Sequence, residues 1–368
     1  MATDTDGEAV HGQAGNGCAE SPRPLDGYPG YGQSIAHSPC DDAAGEPDGR
    51  DDGNAGVVGR LAPTPSGRMH LGNVLSALLA WLSAKSRGGR IVLRMEDLDP
   101  STRVGPWADL IMSDLDWLGL GWDEGPFYQN DDLEPYAEAV DVLDRKGLLY
   151  PCFCSRAELH AATAPHASDG TPIYDGRCRN LSPEEVEERS QRRPPATRLM
   201  VPPAGDPSGM VRFRDLVRGP QEQELASECG DFLVRRSDGV FAYQLAVVVD
   251  DAQMGVTEIV RGGDLLTSTP RQIYLQDLLG YPHPGYAHVP MLMAPDGRRL
   301  SKRDRDCGMD ELRERFGAPG NLIGFLACKV GLMDELQPIS ADELAKDFEW
   351  DKVARAPESI VVEDGFFG

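Results

Sequence analysis

Hydrophobic positions first take on a regular spacing between residues 57 and 97. Val57–Ala62 is a short, mostly apolar run that predicts a buried strand, and Asn73–Ser86 has the apolar spacing of a helix. Arg90–Asp97 then alternates between apolar and polar residues, as a half-buried strand does. A strand, a helix and a strand in this order predict a right-handed βαβ unit of a parallel sheet.

The pattern beyond residue 100 predicts further helices and strands. Amphipathic helices are expected within residues 107–149, and short helical patterns follow residue 305 as far as Val353. Further strands are predicted at Arg198–Val201, Phe232–Arg235 and Phe241–Val249 and within TEIVRGGDLL, and a further helix at Thr269–Leu279. The expected fold class is therefore α/β, a parallel sheet with helices on both faces.

The first 56 residues differ in composition from the rest of the chain. The net charge of the protein is −24, and residues 1–58 contribute eleven Asp or Glu against two Arg, a balance of −9. This segment is rich in Gly, Asp and Ala and poor in aliphatic residues, which predicts a disordered acidic tail at 1–56. The remaining charge neither supports nor excludes RNA binding, which would depend on local basic patches.

Two classes of protein are disfavoured by the sequence. No apolar run is long enough to span a bilayer, and the N-terminus lacks the basic and apolar segments of an export signal. We therefore expect a cytoplasmic protein with no membrane partner, and no obligate protein partner is inferred. In a reducing cytoplasm the eight cysteines should be mostly thiols or metal ligands.

The loop APTPSGRMHLGN follows the first predicted strand, where open α/β sheets bind ligands. It contains no GxGxxG, and the chain has no GK dipeptide, so Rossmann and Walker-type nucleotide sites are disfavoured. His70, Gly72 and Asn73 stand at the start of the predicted helix, whose free N–H groups attract phosphate. By itself this loop is more typical of a simple helix cap than of a nucleotide site.

A second loop, GRRLSKRD, contains Lys302. Lysine is scarce in this chain, with six residues against thirty arginines, so a lysine between arginines is not a result of composition. Its compact ammonium can act as a mobile point charge on a phosphate. The alternative is a solvated basic loop.

Together these stretches resemble the HIGH and KMSKS signatures of class I aminoacyl-tRNA synthetases. The stretches RLAPTPSGRMHLGN, RMEDLDP and RLSKR narrow the resemblance to the glutamyl/glutaminyl branch, and it extends from about Gly59 to Val330. It implies the class I synthetase nucleotide-binding fold and ATP as a substrate, with Mg²⁺ accompanying the triphosphate.

The two signatures imply roles for particular residues. Asn73 replaces the last HIGH residue and Arg299 the first lysine of KMSKS, while the other key positions are kept. The resemblance implies ATP binding by His70, Gly72, Asn73 and Lys302. It implies catalysis by His70 and Lys302, which would stabilise charge on the phosphoryl group.

An amino-acid substrate with two carboxylates needs cations. Arg60 at the end of the first strand can hold a carboxylate bidentately, although a structural ion pair would use it equally well. Glu96 can accept from an ammonium group, and it can also serve as a strand-end cap. The resemblance implies L-glutamate binding by Arg60, Leu61, Ala62, Pro63, Thr64, Glu96, Tyr243 and Arg261.

A third candidate site lies in the stretch YPCFCSRAELHAATAPHASDGTPIYDGRC. Cys152 and Cys154 stand one residue apart and Cys178 follows, which makes three of the four ligands of a tetrahedral zinc site. The residues alone leave the fourth ligand open between His160, His166 and Tyr174. Glutamyl-Q tRNA(Asp) synthetases carry a Cys-x-Cys…Tyr-x-x-x-Cys zinc site at this place. The resemblance therefore implies one structural Zn²⁺ per chain, held by Cys152, Cys154, Tyr174 and Cys178.

The length of the C-terminal part selects one member of the branch. Only 65 residues follow Arg303, too few for the large helical domain with which glutamyl-tRNA synthetases read an anticodon. The resemblance then implies activation of glutamate and its transfer to the queuosine base of tRNA(Asp). The alternatives are a glutamyl-tRNA synthetase with a minimal C-terminus and a non-catalytic tRNA-binding paralogue, the latter disfavoured by the intact signatures.

These expectations divide the chain into six segments. They are a disordered acidic tail at 1–56, the first half of a catalytic nucleotide-binding domain at 57–149, an inserted zinc-containing acceptor-binding subdomain at 150–240, the second half of the catalytic domain with the KMSKS-like loop at 241–305, a short helical region at 306–355 and a tail at 356–368.

Overall fold

The computed structural model describes residues 56–159, 173–298, 300 and 308–363. Several predictions therefore lie outside the described residues. They concern the acidic tail up to residue 55, the alternative zinc ligands His160 and His166, and Arg299 and Lys302 of the KMSKS-like loop.

The predicted βαβ unit is confirmed. It consists of β1 (Val58–Leu61), α1 (Leu71–Ser86) and β2 (Arg90–Met95), and β1 pairs with β2 in parallel. All four residues of β1 and nearly all of β2 are buried, as expected of parallel strands that are covered on both faces. A third parallel strand, β3 (Glu124–Tyr128), pairs with the other edge of β2.

The other helices and strands have the following bounds. The helices are α2 (Trp107–Trp117), α3 (Glu134–Arg145), α4 (Arg156–Leu159), α5 (Pro183–Ser190), α6 (Leu225–Glu228), α7 (Tyr243–Gln253), α8 (Thr269–Leu279), α9 (Met309–Phe316), α10 (Pro319–Lys329), α11 (Ala341–Ala345) and α12 (Trp350–Ala354). The strands are β4 (Leu149–Cys152), β5 (Ala196–Leu199), β6 (Met210–Asp215), β7 (Gly219–Glu224), β8 (Phe232–Arg235), β9 (Glu258–Gly262), β10 (Gly285–Val289), β11 (Met291–Met293) and β12 (Ser359–Val361).

A second sheet continues from the free edge of β1. Its strand order is β7–β6–β10–β9, in which β9, β10 and β6 are parallel and β7 closes an antiparallel hairpin with β6. The backbone N–H of Thr257, just before β9, donates to the carbonyl of Val58 at 2.9 Å. Strand β1 therefore has β2 on one side and β9 on the other, and a ligand crevice forms at the carboxyl ends of such strands.

The inserted segment contributes a small antiparallel sheet of order β4–β5–β8. Its first strand ends at Cys152, so the cysteine stretch begins at the edge of this sheet. Tyr174 forms an isolated bridge with Gly230, just before β8, which fixes the second half of that stretch against the same sheet.

One predicted strand is wrong. Residues 241–249 were expected to be sheet-like, but Tyr243–Gln253 forms helix α7. Its residues from Leu245 to Asp251 are all buried, so the helix has no exposed face over that stretch. An apolar run buried on every side has no periodicity that distinguishes a helix from a strand.

Seven of the described strands were not predicted, namely β3, β4, β6, β7, β10, β11 and β12. Strand β3 lies inside the segment expected to be helical, and the hairpin β6–β7 has a half-exposed, strongly polar sequence. Strand β12 lies inside the segment expected to be a tail, where it pairs with β11 in parallel. None of the described helices is both long and apolar enough to cross a membrane.

Candidate active site

A cavity of about 550 Å³ opens at the carboxyl ends of β1 and β9. The loop after β1, the start of α1, the end of β2 and the start of α7 each contribute to its wall. Every described residue of the predicted glutamate and ATP sets lines it, namely Arg60, Leu61, Ala62, Pro63, Thr64, His70, Gly72, Asn73, Glu96, Tyr243 and Arg261. These side chains come together because the topology brings the ends of neighbouring strands to one edge.

One side of the cavity is formed by the start of α1. His70 is the N-cap residue of this helix, and its backbone N–H donates to the side-chain oxygen of Asn73 at 3.2 Å. A Cβ atom on Gly72 would lie 3.2 Å from Cε1 of the His70 ring, so glycine leaves room for the imidazole here. The free N–H groups at a helix start favour an anion, and a phosphate would fit this side.

The start of α9 is joined to the same loop. His70 and Gly308 form an antiparallel bridge, and the N–H of Met309 donates to the carbonyl of Met69 at 3.2 Å. Arg68 forms ion pairs with Asp114 and Asp310, which tie the loop to α2 and α9. Gly308, four residues beyond the KMSKS-like loop in sequence, is therefore held against the histidine of the first signature.

The opposite side of the cavity carries buried guanidinium groups. Arg60 donates through Nη1 to the carbonyl of Val260 at 3.0 Å, and its Nε lies 3.4 Å from a carboxylate oxygen of Asp251. Arg261 donates through Nη2 to Oγ1 of Thr269 at 2.8 Å. Nη1 of Arg261 is buried without a hydrogen-bond partner among the described residues. An unpaired cationic donor beside a cavity is suited to a ligand carboxylate.

Arg94 lies beneath this side and is fully buried. Its Nη1 donates to Asp251 at 2.7 Å, its Nη2 donates to Glu96 at 3.3 Å, and its Nε lies 3.4 Å from Asp250. Because Asp251 also faces Arg60, the one carboxylate connects both guanidinium groups. Burial raises the pKa of Glu96 even though Arg94 and Arg60 oppose that rise.

Tyr243 and the residues around it complete this side. Tyr243 is the first residue of α7, lines the cavity and leaves 38 % of its surface exposed, so it is not a core tyrosine. Arg94, Asp251 and Asp250 were not identified from the sequence. An arginine within the apolar strand IVLRM was the one signal available, because a charged residue in a buried parallel strand needs buried partners.

The three cysteines of the inserted segment also come together. The Sγ atoms of Cys152, Cys154 and Cys178 lie within 4.8 Å of one another, and those of Cys154 and Cys178 are 3.7 Å apart. The phenolic oxygen of Tyr174 lies 3.6 Å from Cys152 and 3.7 Å from Cys154. It also accepts from the N–H of Cys178 at 3.0 Å.

The distance between the Cys154 and Cys178 sulfurs and the two distances from the Tyr174 oxygen match edges of a zinc tetrahedron. With about 2.3 Å to sulfur and about 2.0 Å to oxygen, ligand sulfurs stand about 3.8 Å apart and sulfur and oxygen about 3.5 Å apart. Three thiols and one phenol therefore form a donor set of suitable size and chemistry. In the described part of the chain, no other group of His, Cys, Asp or Glu side chains is arranged to hold a metal.

Arg198 supports this cluster from behind. Its Nε donates to Sγ of Cys152 at 3.2 Å, and its guanidinium carbon lies 3.8 Å from the centre of the Tyr174 ring. Burial opposes ionisation of Cys152, but the N–H of Cys154 and the Arg198 guanidinium together lower the pKa of that thiol. Burial raises the pKa of Cys154 to about 12. A cation that orients a ligand in this way is typical of the surroundings of a metal site.

In a comparison with known proteins, residues 56–364 match the family model of the catalytic domain of class I tRNA synthetases (E and Q). The chain is 46 % identical over 319 residues to the glutamyl-Q tRNA(Asp) synthetase of Symbiobacterium thermophilum, covering 83 % of this chain and 97 % of that protein. It is 47 % identical over 292 residues to that of Nitratidesulfovibrio vulgaris, covering 77 % and 89 %.

Solved structures of similar fold include a glutamate tRNA ligase from Elizabethkingia meningosepticum in complex with its amino acid. The TM-score is 0.69 at 26 % identity, covering 83 % of this chain and 67 % of that one. The glutamate-tRNA synthetase of Elizabethkingia anophelis gives a TM-score of 0.71 at 26 % identity, covering 85 % and 69 %.

The contacts of Arg94 with Asp250, Asp251 and Glu96 predict that substitution of Arg94 strongly lowers the stability of the protein. Arg94→Met removes the cation of the buried Asp250, one of the two cations of Asp251 and the ion pair of Glu96. It should lower the free energy of unfolding by about 3–5 kcal/mol, measured by urea denaturation. The matched control is Arg212→Met, which removes an exposed pair with Glu222 and should change that free energy by less than about 1 kcal/mol. Equal effects of the two substitutions would contradict a central role for Arg94.

Proposed function

The chain belongs to the class I tRNA synthetases of the glutamate and glutamine (E and Q) type, and on that premise we propose that it activates L-glutamate with ATP as glutamyl-adenylate and transfers it to the queuosine base of tRNA(Asp). The observation that carries the proposal is the single cavity with buried arginines on one side and the start of α1 on the other. An amino acid with two carboxylates fits the first side and a nucleotide phosphate fits the second.

The proposed amino-acid site uses charges that are already in place. Glutamate carries two carboxylates and one ammonium group, and it would find two guanidinium groups, Arg60 and Arg261, and one carboxylate, Glu96, around the same cavity. The unpaired Nη1 of Arg261 supports this assignment, since a substrate carboxylate would satisfy it. The backbone from Leu61 to Thr64 and the ring of Tyr243 would complete the walls.

The proposed nucleotide site lies at His70, Gly72 and Asn73, together with Lys302 of the KMSKS-like loop. The α-carboxylate of glutamate attacks the α-phosphorus of ATP, the bond to the β-phosphate oxygen breaks, and pyrophosphate leaves. His70 and Lys302 stabilise the charge on the phosphoryl group, so catalysis consists mainly of positioning and electrostatics. Mg²⁺ bound to the triphosphate would supply further charge neutralisation.

The second step needs no side chain as a covalent nucleophile. A hydroxyl of the queuosine base attacks the carbonyl carbon of the adenylate, an ester bond forms, and AMP leaves. The names of the relatives support tRNA(Asp) as the acceptor, and the chain aligns with 97 % of the length of one of them.

We assign the cysteine cluster to one structural zinc ion, held by Cys152, Cys154, Tyr174 and Cys178. The spacing of the three sulfurs and the phenolic oxygen supports this set. Bound there, the metal would leave no open position for a substrate, and it would join the two ends of the stretch 152–178 within the inserted segment 150–240.

The proposed function predicts the outcome of a transfer assay with two forms of tRNA(Asp). Purified protein with ATP and labelled glutamate should label tRNA(Asp) that carries queuosine and should leave tRNA(Asp) without queuosine unlabelled. Equal labelling of both, removed by oxidation of the tRNA 3′ end, would instead identify a glutamyl-tRNA synthetase. Absence of labelling and of glutamate-dependent pyrophosphate exchange would identify a non-catalytic tRNA-binding protein.

The activation step provides the controls for that assay. His70→Ala and Lys302→Ala should each slow glutamate-dependent pyrophosphate exchange by at least about 10²-fold, as the loss of one transition-state donor does. His283→Ala and Lys346→Ala change residues of the same types outside the cavity and should retain the exchange rate. Wild-type exchange in a folded Lys302→Ala protein would contradict the assignment.

The zinc assignment predicts a set of metal contents, measured by elemental analysis of the purified protein. Wild type should hold one zinc per chain, and Cys152→Ser should hold less and melt at a lower temperature, because metal binding there is coupled to local folding. Tyr174→Phe removes only the phenolic oxygen and should weaken zinc retention during dialysis against a chelator.

The controls decide the fourth ligand. His160→Ala, His166→Ala and Cys328→Ser should keep the metal. A histidine variant that loses zinc while Tyr174→Phe keeps it would overturn the assignment of Tyr174. Absence of zinc from the active wild-type enzyme would mean that the cluster is a group of buried thiols.

A further inference from the structure

We propose that His288 and Asp215 are positioning residues for Arg261, which they hold in one orientation at the amino-acid side of the cavity. The inference rests on the proposed function, because it concerns how the same site recognises glutamate. Neither residue lines the cavity, and neither belongs to the sequence signatures. Each of them is almost completely buried.

The three side chains form a continuous line across the second sheet. Nδ1 of His288 lies 2.6 Å from Oδ2 of Asp215, and Nε2 of the same ring lies 3.0 Å from Nε of Arg261. Asp215 ends β6, His288 lies in β10 and Arg261 lies in β9, and these strands are neighbours in that order. The places of the three residues on adjacent strands therefore fix the distances between their side chains.

The chemistry of the three groups allows one arrangement of protons. A guanidinium group only donates hydrogen bonds, so Nε2 of His288 must present its lone pair to Arg261. The ring proton is then on Nδ1, where it is donated to Asp215. A protonated imidazole would place an N–H against the N–H of Arg261, and burial lowers the pKa of His288, which favours the neutral ring.

Asp215 is itself fixed by the backbone. Its Oδ1 accepts from the N–H groups of Val217 at 2.9 Å, Arg218 at 2.8 Å and His288 at 3.2 Å. Oδ2 is thereby aimed at the imidazole. A carboxylate that selects the tautomer of a histidine is a known way to orient a functional group.

Two nitrogens of Arg261 donate to side chains of the protein, and the third is left for a ligand. Nε is held by His288 and Nη2 by Thr269, whose Oγ1 is also 3.1 Å from Nε2 of His288. Nη1 is the donor that remains for a substrate carboxylate. Asp215 belongs to the hairpin β6–β7 of the inserted segment, so this segment helps to shape the amino-acid pocket.

The decisive variant is Asp215→Asn. The amide oxygen can still accept from the backbone, but the amide NH₂ group then faces Nδ1 and forces the ring proton onto Nε2, against Arg261. The KM for glutamate in pyrophosphate exchange should rise roughly 10- to 100-fold, while kcat and the KM for ATP stay within about 3-fold, because binding to Arg261 is lost equally in ground and transition states.

Two substitutions of the histidine separate positioning from packing. His288→Gln can place its side-chain oxygen near the position of Nε2 and accept from Arg261, whereas His288→Asn reaches only the position of Nδ1. The KM for glutamate should therefore rise more in His288→Asn than in His288→Gln. The matched control is Asp277→Asn, which changes the exposed pair of Asp277 and His283 and should leave all constants unchanged.

A second measurement tests the proton arrangement without activity. ¹⁵N NMR of labelled histidine should show His288 protonated on Nδ1 in wild type and on Nε2 in Asp215→Asn. A wild-type ring protonated on Nε2, or an unchanged KM for glutamate in folded Asp215→Asn, would overturn the inference. Absence of glutamate-dependent exchange in wild type would refute the proposed function instead, and the NMR result would still decide the proton arrangement.

Discussion

The buried guanidinium of Arg94 is the group on which the amino-acid side of the cavity depends. It is fully buried, and three carboxylates surround it, so removing it would leave charges that the interior cannot solvate. Asp251 pairs with Arg60 as well as with Arg94, and Glu96 accepts a hydrogen bond from Arg94 directly. Substrate would therefore meet charges that are already oriented, which lowers the cost of ordering them on binding.

The fold places the charged residues of the amino-acid side and the start of α1 at the same cavity. Strand β1 has β2 on one side and β9 on the other, so Arg60, Glu96 and Arg261 emerge at the same edge of the sheet. The bridge between His70 and Gly308 joins the start of α9 to the start of α1. In the proposed function, recognition of the amino acid and of the nucleotide would thus depend on strand order more than on any single motif.

The sequence predicted the parts of this structure that have a local pattern. The βαβ unit, helix α8 and the cysteine pair all have a distinct spacing, and each lies where it was expected. Helix α7 was missed because its residues from Leu245 to Asp251 are all buried, so it has no exposed polar face that would give a helical periodicity. The hairpin β6–β7 was missed because its strands are polar and half exposed.

The residues that hold the site residues in place could not be predicted from local sequence patterns. His288 and Asp215 are 73 positions apart, and Arg94 and Asp251 are 157 apart, so only the fold brings them together. Family resemblance supplied the glutamate set and Tyr174, and the structure adds that these residues share a cavity or a cluster. How each is held in place could be seen only from the contacts.

The most direct test of the account compares glutamate with glutamine in ATP–pyrophosphate exchange by the wild-type enzyme. The two side chains have nearly the same shape, but glutamine lacks the second negative charge that Arg60 and Arg261 would bind. The account predicts that kcat/KM for glutamate exceeds that for glutamine by at least about 10²-fold, since an unpaired buried charge is costly. Equal exchange with the two amino acids would contradict it.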